Sequence, residues 1–257
     1  MRISILQTAL QWEAPAANRR MLGEKLALLA GQTDLVVLPE MFTTGFSMQA
    51  AALAEPMDGE TLHWMLDNAQ AIGAAITGSF ICRENGQYFN RLVWMFPDGT
   101  FQTYDKRHLF TLAGEHEHYT PGHRRITVEW KGWRICPLIC YDLRFPVWSR
   151  NNPPQNPYDL LLYVANWPNR RAHHWQVLLS ARAIENQAYL AGVNLVGQDG
   201  NGHEYSGDSC ILDYHGQAIC RISGKEGAFT AELSLAELQE YRARLPFLQD
   251  GDTFQLL

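Results

Sequence analysis

Three side chains stand where a short apolar stretch gives way to polar residues, and together they form a working set for nucleophilic catalysis. "LVVLP" runs into Glu40, "PLI" runs into Cys140, and Lys106 follows the strand-like "GTFQTYD". In α/β proteins functional side chains collect at the carboxyl ends of buried strands, where a rigid scaffold projects them into a cleft. A thiol with an ordinary pKa of about 8.5 is mostly protonated at neutral pH. A carboxylate beside it can take the proton as general base, and a lysine ammonium can favour the thiolate and stabilise an oxyanion on the substrate. Such a set needs no metal and no cofactor. Each member also has an ordinary alternative. Glu40 could be a strand-end carboxylate facing water, Lys106 a surface lysine, and Cys140 a buried structural thiol, the commoner fate of a cysteine in an apolar strand.

A second thiol complicates the choice of nucleophile. In "GWRICPLICYDLRFP", Cys136 and Cys140 are four residues apart. On one strand they share parity and lie about 13 Å apart, at about 3.3 Å per residue. That exceeds the separation of about 7 Å at which two cysteines can be bridged, so Cys136 is not a resolving partner. Cys136 sits within the apolar run and reads as core; Cys140 stands at its carboxyl end and reads as the nucleophile. Pro137 removes one ladder hydrogen bond, which predicts a bulge or a sheet edge there.

The elements that must position these residues follow from periodicity. "RISILQTAL" and "DLVVLPE" read as strands, separated by a helix with Leu22, Leu26 and Leu29 on one stripe. Asp58 is the expected cap of a helix carrying Leu62, Leu66, Ala69 and Ile72. "GAAITGSFICR", "QYFNRLVWMF" and "GTFQTYDKRHL" form strands joined by the hairpin turns "ENG" and "PDG". Residues 111–123 read as a loop. "RITVEW" pairs with "WRICPLICYD", and "NNPPQNP" is a turn before "DLLLYVANW". A long helix spans about 172–188, four strands follow, and Ser234 caps a last helix. Strands joined partly by helices and partly by hairpins make a mixed α/β domain with more than one sheet. Nothing divides the chain, so residues 1–257 read as one domain.

Composition bounds the partners. The chain has 257 residues, is 46% hydrophobic and carries a net charge of −6. That balance argues against nucleic-acid and anionic-membrane binding, which need basic patches. No apolar run approaches the roughly 20 residues of a membrane span. The N-terminus lacks the apolar core of a signal peptide, so a cytoplasmic protein is expected. The five cysteines read as reduced thiols.

In combination, "LPEMF", "DKRHLF" and "CYDLRFP", in this order and at these spacings, resemble the nitrilase superfamily of carbon–nitrogen hydrolases. The resemblance covers nearly the whole chain, since "ARAIENQAYLAGVN" and "DGNGHEYSGDSCILDYHG" also fit. "VANWPNRRAHHW" and "RFPVWSRN", with Val147 where many members carry an acidic residue, point to the bacterial omega-amidase branch. The resemblance implies a four-layer α-β-β-α sandwich and a homodimer, with the helix over 172–188 and the end of the 140s helix at the interface. It implies Glu40 as general base, Lys106 as oxyanion-stabilising cation and Cys140 as nucleophile, with the backbone N–H of Tyr141 as a second oxyanion donor. A second glutamate falls at Glu115, with Glu117 as its competitor. The implied substrate is a small amide carrying a carboxylate, such as 2-oxoglutaramate, hydrolysed to 2-oxoglutarate and ammonia. Arg144, Arg170 and Arg171 are candidates for holding the carboxylate, with Phe42, Thr44, Tyr141 and Trp167 as pocket walls; Arg144 could instead pair with Asp142 or Glu185.

Rival readings remain at this level. His108 lies two residues from Lys106 and on a strand would face the same side, which would allow a Cys–His hydrolase. His116, His118 and His123 could form a metal site, although their spacing fits no common zinc pattern. Deaminated-glutathione amidase, nitrilase and N-carbamoyl hydrolase share the implied triad. A catalytically inactive binding or assembly protein could keep the fold.

Overall fold

The computed structural model describes residues 1–152, 157–252 and 254. In chain order the elements are β1 (Arg2–Gln7), α1 (Pro15–Ala27), β2 (Leu35–Val37), α2 (Ala50–Leu53), α3 (Glu60–Ile72), β3 (Ala75–Glu84), β4 (Gln87–Met95) and β5 (Phe101–Asp105). They continue with α4 (Glu115–His118), β6 (Val128–Trp130), β7 (Trp133–Ile139), α5 (Pro146–Ser149), β8 (Leu160–Val164) and α6 (Ala172–Glu185). The chain closes with β9 (Tyr189–Val193), β10 (Val196–Gln198), β11 (Glu204–Leu212), β12 (Ala218–Ser223), β13 (Gly227–Glu232) and α7 (Leu235–Arg244).

Two sheets result. The first has the order β13-β1-β2-β3-β4-β5, with β1, β2 and β3 parallel and the rest antiparallel. The second has the order β10-β11-β9-β8-β7-β6, with β7, β8 and β9 parallel and β12 added to β11. The alternation of side chains explains the layering. Ile3, Ile5, Leu35 and Val37 enter the core shared with Ile135, Leu161 and other residues of the second sheet. Leu6, Val36 and Leu38 point the other way, against Leu22 and Leu26 of α1 and Met65 and Ala69 of α3. On the far side of the second sheet, α6 lies so close to β9 that a Cβ on Gly192 would meet Leu179 at 2.6 Å and Trp175 at 3.0 Å. The layers therefore run helix, sheet, sheet, helix.

Two local expectations need correction, and a third holds in one of its two forms. Gly59, not Asp58, occupies the N-cap of α3, and the buried face of that helix is Thr61, Met65, Ala69 and Ile72. Pro137 lies in no bulge, because β7 runs in unbroken register with β8 from Ile135 to Ile139, but it does stand at a sheet edge on its other side, the second of the two expected settings. The carbonyl of Arg134 accepts from Asp159 on the β8 side, so odd-numbered residues of β7 turn their N–H groups the other way. On that side the β6 ladder ends at Ile135, and Pro137 lies just past it, where no ladder donor is required. Finally, the strand stops at Ile139 and Cys140 begins a 3₁₀ turn, Cys140–Arg144, so the two cysteines do not share a strand face. Ser234 caps α7 as expected, accepting from the N–H of Glu237 at 3.3 Å. The centre of the expected turn "NNPPQNP" lies outside the described residues.

Candidate active site

Both sheets deliver chemistry to one end of the sandwich. β2 and β5 run in the same direction, because β2 is parallel to β3 and two antiparallel steps lead on to β5. Glu40 follows β2 across Leu38 and Pro39, Lys106 directly follows β5, and Cys140 directly follows β7. Glu115 opens α4, after Gly114 with φ +72°. The backbone is strained where the reactive groups leave their strands: Met41 has φ +44° and Cys140 has φ +42°. Such values are uncommon for residues with a Cβ and persist only where surrounding structure enforces them.

The four groups meet. Lys106 Nζ donates to Glu40 Oε1 at 2.9 Å and to both oxygens of Glu115 at 2.9 Å. All three of these side chains are fully buried. The Cys140 thiol lies within the electrostatic reach of Glu40, Lys106 and Glu115, and Cys140 alone of the four is part-exposed. Glu117, the competitor for the second-glutamate position, points to solvent.

Burying two carboxylates and an ammonium demands further donors. Asn90, in the middle of β4, donates through Nδ2 to Glu40 Oε1 at 2.8 Å and Glu115 Oε1 at 3.3 Å. Asn166, two residues beyond β8, donates its backbone N–H to Glu40 Oε2 at 2.8 Å and its side-chain amide to the Glu40 carbonyl at 2.6 Å. The N–H of Phe110 donates to Glu115 Oε2 at 2.5 Å. Sequence reading missed Asn90 and Asn166. The signal was present, since an asparagine inside the strand "YFNRLVW" must find a partner when buried, but nothing local said which partner.

The electrostatics follow from this packing. Burial alone would push Lys106 toward its neutral form, but Glu115 and Glu40 outweigh it and hold the ammonium charged. Burial pushes the Glu115 carboxyl up, Lys106 opposes that shift and Glu40 adds to it. Burial raises the Cys140 thiol well above its ordinary value, with Glu40 adding to the rise and Lys106 opposing it. Cys140 is therefore a protonated thiol at rest, with a carboxylate and an ammonium bearing on it.

Cys140 and Lys106 open onto a cleft of about 410 Å³. Tyr141, Arg144 and Trp167 line it, as do Arg170 and Arg171. Phe42 and Thr44 do not. The turn at Met41 sends Phe42 into the core against Trp64, with ring centroids 5.6 Å apart, and leaves Thr44 fully buried. Phe46 and Met48, later in the same loop, supply the wall instead, joined by Phe110, by Asp199 and His203 from the turn between β10 and β11, and by Tyr205 at the start of β11. Among the described residues none of the three arginines has a carboxylate partner. Asp142 is bound to Tyr104 and His108, and Glu185 to Arg182. Arg144 lies over the Trp167 ring at 4.7 Å, and Arg171 over Phe110 at 5.3 Å. Burial, then repulsion from Arg170 and Arg144, holds the Arg171 guanidinium below its ordinary value. Three cations crowd one mouth, and Asp199, the one carboxylate among the lining residues, is engaged by the Tyr205 hydroxyl at 2.8 Å instead.

The rival groups lie elsewhere. His108 is not on a strand. Its ring stacks on Phe145 at 3.8 Å and 11°, and its Nδ1 meets Asp142 Oδ1 at 2.8 Å. It lines a separate shallow depression with Arg107, His116 and Phe145. His116 and His118 are exposed, and His123 Nδ1 lies 2.8 Å from Arg107 Nη1. Among the described residues no group of three or more His, Cys, Asp or Glu side chains converges as metal ligands do. No helix among them is long and apolar enough to cross a membrane.

Comparison with known proteins places this geometry. Residues 2–243 match the family described as Carbon-nitrogen hydrolase. The chain is 50% identical to Omega-amidase YafV of Escherichia coli (strain K12) over 257 residues, covering 100% of this chain and 98% of that protein. It is 33% identical to the 2-oxoglutaramate amidase of Bacillus subtilis (strain 168) over 251 residues, 96% of each chain. Among solved structures, XC1258 from Xanthomonas campestris, a CN-hydrolase superfamily protein with an arsenic adduct in its active site, matches with a TM-score of 0.98 at 51% identity. That match covers 100% of this chain and 99% of the other.

Proposed function

The chain belongs to the carbon–nitrogen hydrolase family, and from that premise we propose that it is an omega-amidase that hydrolyses the terminal amide of a short dicarboxylic acid monoamide, 2-oxoglutaramate, to 2-oxoglutarate and ammonia. The observation that carries this reading is the pairing of two features. A buried Glu40–Lys106–Glu115 cluster holds one part-exposed thiol, and the cleft it opens on carries three guanidiniums without carboxylate partners. The first is chemistry for an amide, the second a receptor for a carboxylate.

Glu40 takes the thiol proton as Cys140 Sγ attacks the amide carbon. The oxyanion forms against the Lys106 ammonium and the N–H of Tyr141, which lies in the first turn after the strand, where N–H groups lack intrahelical partners. Glu40 then returns the proton to the amine as the C–N bond breaks, ammonia leaves, and a thioester remains. Water, deprotonated by Glu40, attacks the thioester carbon. The C–S bond breaks, the proton returns to sulfur, and the carboxylate product departs. Glu115 keeps Lys106 charged and aimed without contacting the reacting atoms.

Residues 1–257 serve this chemistry as one domain. Val147, Val177 and Ile184, half-exposed on α5 and α6, support a homodimer through those helices, tested by size-exclusion with light scattering. The free state of all five cysteines fits a cytoplasmic enzyme. An ammonia-release screen tests the substrate. 2-Oxoglutaramate should exceed deaminated glutathione, N-carbamoyl amino acids and simple nitriles in kcat/KM by at least about 10-fold, the lower end of what one well-placed hydrogen bond to a charged group contributes. A preference for any of the other three would overturn the substrate, and release from none would overturn the enzyme.

A further inference from the structure

The nucleophile and the cation arrive on different sheets, yet one buried carboxylate holds both. Asp142 is fully buried and lies two residues after Cys140. Its Oδ2 accepts the backbone N–H of Ile139 at 3.1 Å, the residue just before Cys140. Its Oδ1 accepts the backbone N–H of His108 at 3.0 Å, two residues after Lys106. The hydroxyl of Tyr104, two residues before Lys106, donates to Oδ2 at 2.7 Å, and the His108 ring meets Oδ1 at 2.8 Å. Tyr104 is held in turn by Trp148 Nε1, which donates to its oxygen at 2.9 Å.

From this convergence we propose that Asp142 is a positioning residue for the amidase reaction: a single carboxylate that fixes the Cys140 turn against the Lys106 loop. The role rests on the function proposed above, and it makes a demand that only a carboxylate meets. Two backbone N–H groups, one from each sheet's loop, occupy different oxygens of one side chain. Asparagine has the same shape but a single acceptor oxygen. Whichever way its amide turns, an NH₂ group faces either the Ile139 or the His108 N–H and one tether is lost. The motif "CYDLR" thus gains a use for its aspartate, and His108 gains one other than catalysis, closing the outer side of the clamp where it stacks on Phe145.

The experiment compares Asp142→Asn with Leu26→Ala, a core truncation under α1 that destabilises through packing alone. Two quantities are read: kcat on 2-oxoglutaramate, and the pH midpoint of Cys140 alkylation by iodoacetamide, which needs no substrate. The groups bearing on that thiol are Glu40, Lys106 and Glu115. Asp142→Asn should lower kcat at least about 10-fold with KM little changed, as expected when reacting groups lose alignment. It should also move the alkylation midpoint down toward an ordinary thiol, because contact with Glu40 loosens. Leu26→Ala should change neither. An Asp142→Asn protein with both quantities at wild-type values would overturn the proposal. If the wild type hydrolyses no omega-amide, the functional reading fails while the midpoint still judges the clamp. Should Asp142→Asn not fold, hydrogen exchange in the native protein decides. The amides of Ile139 and His108 should share one protection factor, since one carboxylate holds both, and widely different protection would overturn the clamp.

Discussion

β7 carries a cysteine in its interior and another just past its end, and the two environments differ in what surrounds the sulfur. Cys136 is fully buried among apolar neighbours, and burial pushes its thiol up to about 12, with Arg125 opposing weakly. Burial raises Cys140 as well, but there the next contributions come from Glu40 and from Lys106. Neither thiol is acidic at rest. What sets Cys140 apart for the proposed role of nucleophile is a neighbouring carboxylate, a neighbouring ammonium and an opening to the cleft, not a lowered pKa.

That comparison can be broken in several places. The largest effect should come from Cys140→Ala, which removes the atom that forms the thioester. Ammonia release should fall at least about 10⁴-fold, beyond the loss of a general base alone, and retained activity would transfer the chemistry elsewhere. Lys106→Met should follow, losing about 10²–10³-fold in kcat as an oxyanion donor disappears. It should also lose about 3–5 kcal/mol in stability on denaturant titration, because Glu40 and Glu115 are left buried without their cation.

Glu40→Gln sharpens the contrast most. Without its base, hydrolysis should drop about 10²–10⁴-fold. Yet Glu40 is one of the groups raising the Cys140 thiol and Lys106 is the group lowering it. Removing the negative charge therefore moves the thiol pKa down, and the pH midpoint of alkylation should fall below that of the wild type. A midpoint that rises would show that Glu40 does not face the thiol as described. A smaller effect should attend Arg171→Met: KM for 2-oxoglutaramate rises about 10-fold, one charged hydrogen bond, with kcat little changed. Smallest of all, Cys136→Ala should leave kcat within about twofold and cost about 1 kcal/mol of stability. Labelling of Cys136 before Cys140 would reverse their assignment.

A mixed α/β domain with more than one sheet was legible from the residues, along with the strand-end positions of Glu40, Lys106 and Cys140, because buried strands announce themselves as apolar runs and their ends as abrupt changes; the four-layer stacking came only through the family resemblance. Loop paths were less legible. Phe42 and Thr44 follow Glu40 directly and looked like pocket walls, but the left-handed turn at Met41 buries them and leaves Phe46 and Met48 to face the cleft. Asp199, in the turn after β10, and Tyr205, at the start of β11, reach the same cleft from far along the chain, held by a 2.8 Å hydrogen bond between them, and no local pattern reports such a meeting. His108 was misplaced for a related reason. β5 ends at Asp105, so strand parity no longer governs the residues that follow.

The account is tested most directly by mass spectrometry of enzyme quenched during turnover of 2-oxoglutaramate. The peptide containing Cys140 should carry the mass of a thioester-linked acyl group, absent from Cys140→Ala and trapped more fully when water attack is slowed at low pH. An acyl group on another residue, or full turnover with no covalent species on Cys140, would contradict it.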